Sequence, residues 1–305
     1  MADVIKNRYD FIFLFDVENG NPNGDPDAGN MPRMDQDTGL GIVTDVCLKR
    51  KIRNYVEAVY DENPGYRIYV KQNVPMERMN QEAYSYVGIK GNESDDAIKN
   101  EIKELKKNDP MLNVKVRDFM CANFFDIRTF GAVMTTFVTA NLNCGQVRGP
   151  VQLCFARSID PITPQEVSIT RITVASEKEK LDGKNTMMGN KFIVPYALYR
   201  CEGFISANLA QKTTGFTEDD LKVFWEALIN MFELDRSATR GKMSLRNLIV
   251  FRHASQFGNA PAYKLFEKIK VVRKDADKVA RAYDDYEIVI ERDAVPENVE
   301  LIEMI

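Results

Sequence analysis

Asp25, Asp27, Asp35 and Asp37 crowd one stretch that follows an apolar, aromatic-rich run, Tyr9-Asp10-Phe11-Ile12-Phe13-Leu14-Phe15. Carboxylates gathered on a loop can hold a divalent cation. No histidine or lysine stands beside them as an obvious general base. Within the same stretch, Glu18 to Asn30 has the outline of a calcium loop, with Asn19, Asn21 and Asn23 at alternate positions and Gly24 after them. It departs from that pattern where it matters. Neutral amides replace carboxylates, and Asn30 stands where a bidentate glutamate is needed. Asn side chains on a Gly-rich backbone suit hydrogen bonds to phosphates or to a neighbouring subunit. An ordinary surface loop fits equally well.

The remaining reactive inventory is thin. His253 is the only histidine and follows an apolar run, so a core or edge position is the default. Cys47, Cys121, Cys144, Cys154 and Cys201 form no CxxC pair and are odd in number, which argues for buried free thiols over a zinc knuckle or a disulfide framework. GxGxxG, Walker, HExxH and GxSxG sequences are all missing. No catalytic residue, cofactor or resident metal is expected.

Cations offer more. In Leu48-Lys49-Arg50-Lys51-Ile52-Arg53, helical spacing puts Lys49, Arg50 and Arg53 on one arc beside the apolar stripe, with Lys51 on the far flank. Lys49 and Arg53 repel slightly unless an anion bridges them, and strand phosphates would do so. A solvated basic face is the plain alternative. Arg128 before Gly131, Arg148-Gly149 and Arg240-Gly241-Lys242 each set a cation near a glycine, where backbone can approach a phosphate closely. A turn with a solvated cation accounts for any one of them. Met187 and Met188 fall in a polar segment with no core beneath it. There they either wedge between bases or plug a neighbouring subunit or the parent sheet.

Positioning these groups requires a mixed fold. The aromatic run reads as a buried central strand, and Thr44 or Asp45 opens a helix to about Tyr60. Residues 76–122 read as helical, with a break at Asp109-Pro110. Short strands follow over 127–157. Val167 to Ala175, a polar tip over Ser176 to Lys191, and Phe192 to Asn208 describe an extended hairpin. Thr217-Glu218-Asp219-Asp220 caps an amphipathic helix. Leu245 to Phe251, Leu265 to Val272 and Tyr286 to Ile290 read as strands. The skeleton is α+β, a ferredoxin-like βαββαβ core with insertions. The aromatic signature that lets a common RRM stack bases on its sheet is absent.

At 305 residues and 44% hydrophobic composition, the chain can bury a sizeable core in one large domain or two. It contains no membrane-length apolar run and no secretory signal, so a cytoplasmic protein is expected. A net charge of −4 weighs against indiscriminate coating with nucleic acid and leaves room for one basic groove.

Arg8-Tyr9-Asp10-Phe11, Asn19 to Pro26, Thr44 to Arg53, Asp126 to Gly131 and Asn190 to Tyr196 together resemble the Cas seven (Cas7) family of CRISPR-associated proteins, nearest to the type I-C (Dvulg) backbone subunit of Cascade. The resemblance runs over nearly the whole chain. It implies an RRM-like palm (1–65, 123–171 and 196–305), helical fingers (66–122) and a hairpin thumb (172–195). It further implies several copies lined along one CRISPR RNA, whose exposed bases pair with target DNA. Other copies and other Cascade subunits (the Cas five type, large and small subunits) would be partners. Asn21, Asn23, Arg33, Lys49, Arg50, Arg53, Arg128, Arg148, Arg240 and Lys242 would then contact RNA, and Met187 and Met188 would be thumb wedges. Type III relatives resemble this chain in fold and cut RNA with a loop acid. Asp35 and Asp37 occupy that loop here, so a metal-dependent ribonuclease is the alternative.

Overall fold

A computed structural model describes residues 3–89, 95–134, 146–171 and 187–305. In chain order the elements are β1 (Tyr9–Gly20), β2 (Gly24–Asp25), β3 (Met31–Pro32), β4 (Leu40–Val43), α1 (Asp45–Tyr60), α2 (Met76–Tyr86), α3 (Asp95–Asn108), α4 (Leu112–Asn123) and α5 (Phe125–Phe130). Short strands follow: β5 (Gly131–Val133), β6 (Gln146–Arg148), β7 (Val151–Leu153) and β8 (Ala156–Pro161). The hairpin strands β9 (Gln165–Arg171) and β10 (Met187–Ile205) lead to α6 (Glu218–Leu234) and β11 (Lys242–His253). The chain closes with α7 (Ala262–Phe266), β12 (Ile269–Arg273), β13 (Tyr286–Ile290) and β14 (Val299–Glu303).

The fold is mixed α+β around a large antiparallel sheet ordered β14-β11-β1-β10-β8-β4. The aromatic run is continuous because β1 is central and covered on both faces. Alternate side chains point to opposite sides. Phe11, Phe13, Phe15 and Val17 pack with Leu48 and Ile52 of α1 and with Phe224 and Leu228 of α6. Ile12 and Leu14 pack with Leu198, Ile249 and Phe251 under Leu265, Phe266 and Tyr286. The C-terminal α7 and β12–β13 therefore cover the sheet face opposite the two long helices, which leaves no open aromatic sheet surface there. The helices α2, α3 and α4 carry a separate apolar cluster that includes Tyr69, Ile98, Ile102, Val116 and Met120.

Both long helices begin where local chemistry dictates. Thr44 Oγ1 accepts from Cys47 N at 3.3 Å. Thr217 and Asp220 form a reciprocal capping box, with Asp220 N donating to Thr217 Oγ1 at 3.2 Å and Thr217 N to Asp220 Oδ2 at 2.8 Å.

Several expectations are corrected. The short strands expected from 127 begin only at Gly131; Asp126 to Phe130 lie in α5, whose residues are all buried. Met187 to Lys191 belong to β10, in register with Arg171 to Val167, and not to the tip. Met187-Met188-Gly189-Asn190-Lys191 lacks the apolar alternation that marks a strand. The rest of the expected tip falls within residues 172–186, which lie outside the described residues, as does Cys144. Leu265 to Val272 is not one strand but the end of α7 followed by β12. Cys154 is exposed, whereas Cys121 and Cys201 are buried as expected. Among the described residues, no helix is long and apolar enough to cross a membrane.

Candidate nucleic-acid interface

The basic helix α1 is largely paired within the chain. Lys49 Nζ meets Asp45 Oδ2 at 2.9 Å, and Arg53 Nε meets Asp126 Oδ2 at 2.9 Å. Both cations also approach the ring of Phe130. Asp126 is fixed in turn by the backbone amides of Tyr69 and Val70, which donate at 2.8 and 3.1 Å. The anions that relieve Lys49–Arg53 repulsion are thus the chain's own carboxylates. Lys51 is buried and paired with Asp235. Arg50 alone on this arc is exposed, and its described partner is the Gln72 amide oxygen at 3.2 Å.

Arg128 is a core residue. Its Nε and Nη2 fork onto Asp220 at 2.9 and 2.6 Å. Nη1 donates to the carbonyls of Cys121 at 2.7 Å and Ala122 at 3.4 Å, and Nη2 also donates to Gly65 O at 3.1 Å. Every donor of the guanidinium has a protein acceptor, so the phosphate contact expected of it has no geometry here.

The glycines beside the other cations serve chain crossings. A Cβ on Gly149 would lie 2.2 Å from Gly131 N, and one on Gly241 would lie 2.5 Å from Asn19 O. Their neighbours are nevertheless held at the surface. Arg148 is exposed on β6, with no ion pair among the described residues. Lys242 is 61% exposed and meets Glu18 at 3.2 Å. Arg240 is tied to Asp235, with Nη2 to Oδ1 at 2.7 Å.

The stretch after β1 is built by its own amides. Asn23 Oδ1 accepts from both Thr44 N and Thr44 Oγ1 at 2.9 Å, so it braces the cap of α1. Asn21 is buried and donates through Nδ2 to Asn30 O at 2.7 Å, while its Oδ1 has no partner. Arg33 Nη1 lies 3.4 Å from Asp25, and its buried Nε has no partner either. Asp35 accepts from Arg157 at 2.9 Å and from Asp37 N at 3.1 Å. The Arg157 hydrogen bond, reinforced by the Asp37 amide, holds the Asp35 carboxyl below the usual carboxylate range. Among the described residues, no three His, Cys, Asp or Glu side chains gather as a metal site.

One grouping does emerge. Asn21 N donates to Thr239 O at 2.9 Å, and Lys191 Nζ reaches Ala238 O. The turn before β11 therefore brings Lys191, Arg240 and Lys242 to the end of β1. Lys191 was not among the expected contacts, since a lone lysine in a polar ribbon gives no distinct signal. Arg50 and Arg148 lie on other elements. Met187 and Met188 stand in β10 in register with Arg171 and Thr170.

The chain is similar to known proteins over most of its length. The family model "CRISPR-associated protein Cas7" matches residues 7–291. A Haloferax volcanii protein described as CRISPR-associated protein Cas7 is 26% identical over 272 residues, which span 83% of this chain and 72% of that protein. A chain of a solved "CRISPR RNA-guided surveillance complex, pre-nicking" superposes with a TM-score of 0.48 at 13% identity, covering 80% of this chain and 78% of that one. A chain of another CRISPR RNA-guided surveillance complex gives 0.45 at 15% identity, covering 80% and 68%. With the family model matched along nearly its whole length, the chain belongs to the CRISPR-associated protein Cas7 family.

Proposed function

We propose that this chain is a non-catalytic backbone subunit of a type I-C Cascade surveillance complex in the cytoplasm. It grips CRISPR RNA through phosphates and presents the guide for pairing with target DNA. The observation that carries this reading is the family match over residues 7–291. The strand order β11-β1-β10-β8, with α1 and α6 against one face, supports an RRM-like palm. The separate cluster of α2–α4 supports fingers at 66–122, and the β9–β10 ribbon supports a thumb at 172–195. Arg50, Arg148, Arg33, Lys191, Arg240 and Lys242 are the cations we assign to backbone phosphates, and Met187 and Met188 keep the wedge role. Further copies follow the RNA head to tail, and contacts of that kind extend into helical filaments when the rotation does not close. The other Cascade subunits would cap the array.

The test is a titration of single-stranded RNA against salt. A backbone binder loses affinity linearly in log salt, with a slope of about 0.7 per neutralised phosphate. Replacing Arg50, Arg148 and Lys242 by alanine together should lower that slope. Equal slopes for wild type and variant would remove these residues from the interface.

A further inference from the structure

Two buried polar atoms in one loop lack partners of opposite kinds. Asn21 is 4% exposed, and its Oδ1 is an acceptor without a donor. The Nε of Arg33 is a donor without an acceptor. They bracket the β2–β3 ribbon, in which Gly24 pairs with Pro32 and Arg33 N donates to Asn23 O at 3.0 Å. Leaving either group unsatisfied is unfavourable, because each loses its hydration without replacement. Residues 26–31 are exposed, and Asp25 pairs with Met31 at their base. Asn21 Nδ2 donates to Asn30 O, Asn30 N to Asp25 O at 2.7 Å, and Asp27 N to Asp25 Oδ1 at 3.2 Å. Asn30 and Gly29 both adopt positive φ at the bend.

We infer that this loop distinguishes RNA from DNA by opening to admit one ribose-phosphate unit, with Asn21 Oδ1 accepting from the ribose 2′-hydroxyl and Arg33 Nε donating to the adjacent phosphate. The inference rests on the RNA-binding reading above and names the chemistry by which that site selects its polymer. RNA offers a donor and an acceptor on neighbouring groups. DNA offers the same phosphate oxygen and no 2′-donor, so it leaves Asn21 Oδ1 orphaned. The neighbouring Lys191 and Lys242 add charge that either polymer satisfies.

The experiment measures binding of one sequence as RNA, as 2′-deoxy and as 2′-O-methyl oligonucleotide, at several salt concentrations. Wild type should prefer RNA over both analogues by ~10-fold with equal salt slopes, the size of one net hydrogen bond. The 2′-O-methyl probe keeps the oxygen and cannot donate, so it tests the bond without altering the protein. Asn21→Ala should bring the ratio near one and leave the slope unchanged, while Arg33→Ala should reduce the slope. Steep salt dependence with equal affinity for RNA and the 2′-deoxy probe would overturn this inference and leave the backbone-binding reading intact. No salt-dependent RNA binding would overturn both.

Discussion

Arg128 and Asp220 meet side by side in the interior, at 2.9 and 2.6 Å, and join two segments that are 92 residues apart. The same carboxylate completes the capping box of α6 by accepting from Thr217 N and Oγ1. One buried pair thus ties α5 to the start of α6. Arg128→Ala should destabilise the protein by about 3–5 kcal/mol, because it leaves Asp220 buried and uncompensated. Denaturant unfolding checks this. A change below about 0.5 kcal/mol together with weakened RNA binding would return Arg128 to the surface role expected from sequence.

Arg50 and Arg53 should separate cleanly. Arg53→Ala exposes a buried Asp126 that also organises the Tyr69 and Val70 amides, so stability should fall by about 3 kcal/mol or more. Arg50→Ala should leave the unfolding midpoint almost unchanged and reduce the salt slope of RNA binding by about 0.7. The reverse pattern would mean that the partly buried, ion-paired Arg53, not the exposed Arg50, faces the ligand.

How far these distinctions could be read beforehand depends on range. The caps at Thr44 and Thr217 were legible because a cap is chosen within a few residues. The buried centre of β1 was legible from its unbroken apolar run, although the strand continues to Gly20 through residues paired from afar, such as Asp16 with Arg246 at 2.8 Å. The fates of Arg128, Lys49 and Arg53 were not legible as a set. Lys49 has its carboxylate four positions away, but Arg128 and Arg53 find theirs through tertiary contact. Gly149 and Gly241 mark close approaches of another stretch of backbone, where a phosphate is expected from the sequence.

Alkaline pH should loosen the seam between α1 and α6. Tyr55 and Tyr60 both donate to Glu226, at 2.8 and 2.7 Å. Burial and then the Glu226 carboxylate push both phenols up to about 12. The folded state therefore holds protons that the unfolded chain releases near its ordinary value of about 10. The stabilising contribution is fully present below pH 10 and is lost as pH rises from 10 through 12. Denaturation midpoints across that window should fall, and Tyr60→Phe should flatten the decline. An unchanged slope in the variant would remove the tyrosine from this role.

Thiol reactivity should follow exposure. Burial pushes the Cys121 thiol up to about 12 and that of Cys201 well above its usual value. Iodoacetamide on the native protein at pH 8 should modify Cys154 before either of them, as read by peptide mass spectrometry. Rapid labelling of Cys121 without denaturant would show that the α4–α5 junction opens readily.

Asp35 bears on the enzyme alternative. Its carboxylate is held by Arg157, with no metal cluster among the described residues. Asp35→Ala with Asp37→Ala should leave guide and target RNA equally intact in magnesium or manganese. Cleavage by wild type that disappears in the double variant would establish the ribonuclease.

We propose that this chain coats a guide RNA through solvated cations. Expression with a CRISPR array, followed by size-exclusion chromatography with A260/A280, tests it most directly. Wild type should elute as a large species carrying a discrete RNA, and the Arg50→Ala/Arg148→Ala/Lys242→Ala variant should lose both the RNA and the large species. A nucleic-acid-free monomer from wild type would contradict the account.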